Sequence, residues 1–266
     1  VMFGDSVFAN PTYGQIGTTS SLSPSASTTL SSATHGIEDA PGAPSPQGCP
    51  QGQSNVGREL GRVSGQHVAN YACSAAKAAG HSHRKDFGEQ INGAIANNDL
   101  NGETKNVLIQ FGANDLQEIL RPSLSSSNPY YDGMKQSIQR IRHAAPNARI
   151  TVVGYPAISA RNGAVCPLRA SAPGSSEAGF NMDYAGLVRI GEDQVNSAMY
   201  KAARANGVQY YDLRADSIDH GMCAPDSTRW ISGKWEYSVP HNLFNHLTHL
   251  GNRNVAQLLN SKVLAH

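Results

Sequence analysis

Val107-Leu108-Ile109-Gln110-Phe111-Gly112-Ala113-Asn114-Asp115 is the stretch on which the fold turns. Its first five residues are mostly apolar, too short a run for a helix, and a glycine ends them, so the spacing predicts a buried strand. Four further runs of this kind stand at residues 1–3, 67–69, 150–153 and 208–211. Helical spacing fills the intervals. Val56, Leu60 and Val63 follow Ser54, a candidate N-cap, and Phe87, Ile91 and Ile95 repeat the pattern. Met134, Ile138 and Ile141 form the clearest stripe, after Asp132 and ahead of Pro146. A long pattern over 183–205 carries Tyr184, Leu187, Val188, Val195 and Met199 and stops at Gly207, and a last helix carries Val255, Leu258 and Leu259. Strands alternating with helices predict an α/β protein with a five-stranded parallel sheet.

Composition narrows the partners. The 266 residues hold 21 Lys+Arg against 20 Asp+Glu, a net charge of +1, which excludes a polybasic role on nucleic acid or membrane. Charged residues make up 15%, below the roughly 25% of ordinary soluble domains. No apolar stretch approaches the ~20 residues of a membrane-spanning helix. The cysteines are Cys49, Cys73, Cys166 and Cys223, an even number without a C-x-x-C pair, so zinc spacing is absent and two disulfides of an exported protein are expected. The chain opens on Val1-Met2-Phe3, and the expectation is that a signal segment has preceded it. A Ser/Thr/Gly/Pro-rich insertion occupies about 14–48, and no Lys or Arg precedes Arg58. Such a loop is either a lid or a solvated insertion. Two more irregular regions, 157–180 and 217–245, contain Cys166 and Cys223.

In a parallel sheet, ligands gather at the carboxyl ends of the strands. Gly4-Asp5-Ser6 follows the first run and Gly112-Ala113-Asn114-Asp115 follows the third; His246-Leu247-Thr248-His249-Leu250-Gly251 precedes the last helix. Any one of these is weak evidence. Together, in this order, they place a Ser, an Asn and a His at one edge of the sheet.

With these blocks the chain resembles the SGNH, or GDSL, hydrolases, most of all their secreted actinobacterial esterases and lipases. The resemblance runs from residue 4 to residue 251 and implies one domain, 1–266, with the flavodoxin-like three-layer α/β/α fold. It also implies that Ser6 is the nucleophile and His246 the base. The spacing H-x-T-x-x-G selects His246 over His241 and His249. The oxyanion hole would draw on the Ser6 N–H, the Asn114 amide and the residue at position 75. Gly112 supports the third block, and Asp5 and Asn70 are read as structural.

Two departures stand out. The second block, Asn70-Tyr71-Ala72-Cys73-Ser74-Ala75, puts Ala75 where the family has glycine; its N–H would still serve provided that φ is negative there. Leu243 replaces the Asp that family members commonly carry three residues before the His. Either a main-chain carbonyl near Leu243 orients the imidazole, leaving a Ser-His dyad, or the chain is impaired; the dyad is preferred, with Glu236 and Asp219 as distant carboxylates in reserve. The resemblance further implies the pairing Cys49–Cys73 and Cys166–Cys223. It implies neither metal nor cofactor, and a monomer acting on a small-molecule or lipid ester. Acyl transfer to a sugar or lipid, or a non-catalytic binding role, are the alternatives. Tyr130, Tyr131, Trp230, Trp235 and Tyr237 are candidates for lining a pocket or, more simply, for loop cores.

Overall fold

Alternation with period two along the strands sorts the apolar residues into two layers of core. In the computed structural model, which describes all residues except 18–41, 80–84, 122–126, 170–175, 178, 237 and 266, four strands form one parallel sheet. These are β1 (Met2–Gly4), β2 (Asn106–Gln110), β3 (Arg149–Val153) and β4 (Gln209–Tyr211), ordered β1-β2-β3-β4. Met2 stands beside Leu108, Leu108 beside Thr151, and Thr151 beside Gln209. Most of the insertion at 14–48, together with Tyr237, lies outside the described residues.

The expected fifth strand at 67–69 is corrected to an extended edge segment. Met2 N–H donates to the Ala69 carbonyl at 2.9 Å and Tyr71 N–H donates to the Met2 carbonyl at 2.8 Å, but only one bridge, Met2 to Asn70, forms. His67 is exposed and Val68 half-buried, so the run has too little apolar surface to extend the ladder. Its place beside β1 still completes the flavodoxin-like arrangement, with the reversal of strand order between β1 and β2.

Nine α-helices occur among the described residues: α1 (Ser6–Ala9), α2 (Tyr13–Gly17), α3 (Val56–Ser64), α4 (Phe87–Ala96), α5 (Leu116–Ile119), α6 (Pro129–Ala144), α7 (Leu187–Ala205), α8 (Leu213–Ser217) and α9 (His249–Leu259). On one face of the sheet, Phe3, Val107, Ile109 and Val152 pack against Phe87 and Ile91 of α4, Ile138 of α6 and Met199 of α7. On the other, Met2, Leu108 and Val153 pack against Val56 and Leu60 of α3, Leu213 of α8 and Val255 of α9. Buried apolar side chains on both faces make three layers.

Helix starts move to the residue whose side chain best satisfies the first N–H groups. Asn55, not Ser54, caps α3 by accepting from Arg58 N–H at 3.0 Å. Asn128 caps α6 with Pro129 at the first helical position, which leaves Asp132 inside the first turn. At α4, Asp86 and Glu89 form a reciprocal capping box. The long pattern begins its helix only at Leu187, and Tyr184 and Leu187 are exposed rather than core. Gly207, at φ 60°, follows the end of α7 as expected. Disulfides join Cys49 to Cys73 and Cys166 to Cys223. No helix among the described residues is long and apolar enough to cross a membrane.

Candidate active site

Ser6 occupies the first position of α1, directly off the carboxyl end of β1. Asp5 caps that short helix, its Oδ1 accepting from Val7 N–H at 3.0 Å. The approach to it is clamped by buried Gln90, whose amide accepts from Gly4 N–H at 3.0 Å and donates to the Gly4 carbonyl at 2.9 Å. A residue held this way has a fixed backbone and a hydroxyl facing outward from the sheet edge.

The third block turns sharply at Gly112, where φ is 153°, into a 3₁₀ turn over Ala113–Asp115. Asp115 is buried and accepts from the N–H groups of Ala78 at 3.0 Å and Ala79 at 2.9 Å, tying this turn to the loop that follows the second block. Asn114 Nδ2 donates to the Ala76 carbonyl at 3.0 Å and reaches Asp5 Oδ2 at 3.4 Å. Asn70 is structural, as its type and place imply: it donates to the Phe8 carbonyl at 3.0 Å and accepts from Ala72 N–H at 3.1 Å.

Tyr155 escaped the sequence reading. Its hydroxyl donates to Asp5 Oδ2 and accepts from Ala113 N–H at 3.2 Å, so it joins the nucleophile turn to the Asn114 turn. The available signal was its position at the carboxyl end of the 150–153 run. Burial pushes the Asp5 carboxyl up to about 7, against the opposing pull of the Tyr155 hydroxyl and the Val7 N–H. Burial also raises Asp115, to about 6, against the two N–H donors of Ala78 and Ala79.

His246 is delivered by the start of α9. Thr248 caps that helix, accepting from Gly251 N–H at 2.9 Å, and a Cβ on Gly251 would stand 2.4 Å from the Trp230 carbonyl oxygen. The Thr and Gly of H-x-T-x-x-G thus anchor the helix against the 229–231 segment and set the position of the imidazole. Its Nε2 lies 2.8 Å from Ser6 Oγ, and its Nδ1 lies 2.8 Å from the carbonyl oxygen of Phe244. That contact assigns the Nδ1–H tautomer and leaves Nε2 free to accept the serine proton. Burial lowers the pKa of His246 and the Phe244 carbonyl partly counteracts this.

Several expectations change here. The carbonyl behind His246, expected near Leu243, is that of the adjacent Phe244, while that of Leu243 accepts from Ser232 Oγ at 2.6 Å. Glu236 is bound to Arg229, and Asp219 pairs with Arg161 at 2.8 Å on the surface, so neither carboxylate backs the imidazole. His241 Nδ1 sits 2.9 Å from the Val239 carbonyl, and His249 Nε2 sits 3.1 Å from Asn242 Oδ1. Ala75 has φ 60°, so the condition of a negative φ is not met; it takes the left-handed conformation that glycine would adopt with less strain, which costs stability but leaves the backbone N–H in place. The Cys49–Cys73 bridge holds the chain two residues before it.

A cavity of about 500 Å³ opens beside these groups, bordered by Ser6, Asn114, Tyr155 and His246 and walled mainly by apolar side chains. None of the four described aromatic candidates, Tyr130, Tyr131, Trp230 and Trp235, borders it. Tyr130 is buried, donating to the Phe111 carbonyl at 3.1 Å, with its ring packed against Tyr131. Trp230 stacks on His220, and Trp235 lies under Lys234. The wall is built instead from Leu187, Val188, Gly191 and Val195 of α7, where the sequence showed only helical spacing.

The arrangement is that of a hydroxyl activated by a base, as used for nucleophilic acyl chemistry. The profile of the GDSL-like lipase/acylhydrolase family matches residues 31–253, and the chain belongs to that family. "Lipase 2" of Streptomyces coelicolor is 30% identical over 102 residues, which are 38% of this chain; the chain spans 32% of the length of that curated relative. Among solved structures, a phospholipase A1 from Streptomyces albidoflavus matches with a TM-score of 0.57 at 17% identity, covering 98% of each chain. An extracellular lipase from Streptomyces rimosus matches with a TM-score of 0.54 at 17% identity, covering 98% of this chain and 97% of its own. A carbohydrate acetylesterase from Sinorhizobium meliloti matches with a TM-score of 0.51 at 15% identity, covering 99% and 97%. The fold is therefore that of the SGNH hydrolases.

Proposed function

We propose that this protein hydrolyses carboxylic esters through an acyl-Ser6 intermediate, with His246 as the base of a Ser-His dyad. The observation that carries the reading is the file of three groups: Ser6 Oγ, the imidazole 2.8 Å from it, and the Phe244 carbonyl 2.8 Å behind the ring. Nε2 takes the Ser6 proton as Oγ attacks the ester carbonyl carbon. The tetrahedral oxyanion is held by the N–H groups of Ser6 and Ala75 and by Asn114 Nδ2, which keeps its bond to the Ala76 carbonyl and exchanges its long contact with Asp5 for the oxyanion. As the intermediate collapses, the carbon–oxygen bond to the alcohol breaks and the imidazolium returns its proton to the leaving oxygen. Water then attacks the acyl-enzyme by the same route, releasing the acid and restoring Ser6.

The backing carbonyl fixes the tautomer and attracts the imidazolium through its dipole, with less force than a carboxylate would. Asp5 and Tyr155 act behind the site, holding the nucleophile turn against the Asn114 turn. We take the chain as a single catalytic unit, a monomer working outside the cytoplasm on a small-molecule or lipid ester; its two disulfides and the extracellular lipase among its structural neighbours support that location.

The test is hydrolysis of p-nitrophenyl butyrate by the wild type, Ser6→Ala and His246→Ala. Each variant is expected to lower kcat by at least about 10³-fold. A wild type no faster than Ser6→Ala would overturn the proposal.

A further inference from the structure

The cavity beside Ser6 has a wall whose composition says what it holds. Leu187, Val188, Gly191 and Val195 recur at three- and four-residue spacing, so they share one face of α7, and all four border the cavity. Gly191 stands out in that row. Glycine inside a helix is unfavourable relative to alanine, so it is expected where close packing demands it. Gly133 in α6 illustrates the demand, since a Cβ there would meet the Ala78 carbonyl oxygen at 2.2 Å. At Gly191 nothing among the described residues lies within 4 Å of a Cβ, so packing does not require the glycine, and what it provides is open volume on the cavity face.

An acyl chain lying on this wall is compatible with the geometry of attack. The leaving oxygen must sit at His246 Nε2, which donates to it, while the carbonyl oxygen must point to Asn114. α7 packs on the Asn114 side: a Cβ at Gly112 would meet Val195 Cγ1 at 3.0 Å. The charge bordering the wall is already engaged. Glu192 accepts from the N–H groups of Ile158 and Ser159 and from Ser159 Oγ, with Arg214 3.6 Å away. At the rim of the cavity Leu187 is 68% exposed, and Ile190, one turn on along α7 and outside the lining, is 49% exposed.

Resting on the ester-hydrolase reading, we infer that this face of α7 binds the acyl chain, that the preferred substrates are esters of medium-chain fatty acids rather than acetates, and that Gly191 sets the accepted length. The phenyl ring of Gly191→Phe would occupy the space of several methylenes, each worth about tenfold or more in discrimination.

The experiment compares kcat/KM for p-nitrophenyl octanoate and acetate in the wild type, Gly191→Phe and Gly191→Leu, with thermal melts to establish folding. The wild-type octanoate-to-acetate ratio is expected to exceed one, and each variant to lower it at least about tenfold. A wild type that prefers acetate removes the medium-chain assignment, and a ratio unmoved in a folded variant removes Gly191 as the determinant. Inactivation of the wild type by ethyl and octyl p-nitrophenyl phosphonates gives a reading that needs no variant: the octyl compound must react faster, with the adduct on Ser6 by mass spectrometry. Absence of both ester turnover and any Ser6 adduct would instead bring down the hydrolase reading itself.

Discussion

Replacing Ala75 by glycine is expected to stabilise the protein, contrary to the usual effect of introducing glycine. At φ 60° the Ala75 methyl crowds its own backbone, a cost of about 1–2 kcal/mol for a residue with a Cβ. Glycine removes that strain but gives the unfolded chain more freedom, returning about 0.4–1 kcal/mol. Ala75 is exposed, so deleting its methyl leaves no core cavity. The balance is a gain of about 0.5–1 kcal/mol, or about 1–4 °C in melting temperature for a chain of this size. Ala75→Val, whose branched Cβ fits this conformation worse still, should lose stability. The assay is urea unfolding with disulfides intact, paired with ester turnover. Because the N–H is retained, any fall in kcat/KM for Ala75→Gly should stay well short of the roughly 10²-fold lost with an oxyanion donor. A lower urea midpoint for Ala75→Gly would show that the strain argument is wrong, and a hundredfold loss of activity would show that the methyl, not the N–H, matters.

Three further outcomes are expected. Because burial lowers His246, the acid limb of the kcat/KM profile should have its midpoint below the ordinary imidazole value of about 6.5, activity falling as pH drops through it; a midpoint above 6.5 contradicts the burial of the ring. Asp5 is raised from 3.8 to about 7, so the folded protein holds a proton there that the unfolded chain has released, and stability should fall as pH rises from about 4 to 7; Asp5→Asn should remove up to about 4 kcal/mol of that slope, and identical stability profiles for the two proteins would refute it. Loss of the Cys166–Cys223 bridge, which closes 57 residues, should cost about 4 kcal/mol, and loss of Cys49–Cys73, which closes 24, about 3 kcal/mol; only the second should also lower ester turnover, because it holds the chain beside Ala75.

Which features were legible in the sequence follows from how local their causes are. Short apolar runs and helical spacing are set within a few residues, so the four strands and the existence of α9 were readable from runs such as 107–111 and from Val255, Leu258 and Leu259, whereas the start of α9 at His249, behind the Thr248 cap, was not. The segment at 67–69 was not, because whether it pairs depends on how much of β1 it covers. Ser6, Asn114 and His246 carry local motifs; Tyr155 carries none, and its role exists only because β3 ends beside Asp5. Which carbonyl near Leu243 backs the imidazole is a matter of one peptide's direction, which the sequence does not carry; Leu243 instead accepts from Ser232, eleven residues away. The φ of Ala75 stood only as a condition in the sequence, because alanine itself argues for a negative value while the turn it occupies takes the positive one.

The carbonyl behind His246 has a consequence for how this site can vary. A carboxylate in that place can be deleted by a single codon change, but a peptide oxygen is present whatever residue stands at 244, so a systematic alanine scan passes over it without a signal. The part that scanning can reach is Ser232, whose hydroxyl holds the neighbouring carbonyl and so helps fix the course of the main chain. Substitution at position 244 removes the ring stacked on Tyr13 but not the oxygen that orients His246, and insertions or deletions between Ser232 and His246 are the changes that would misalign it.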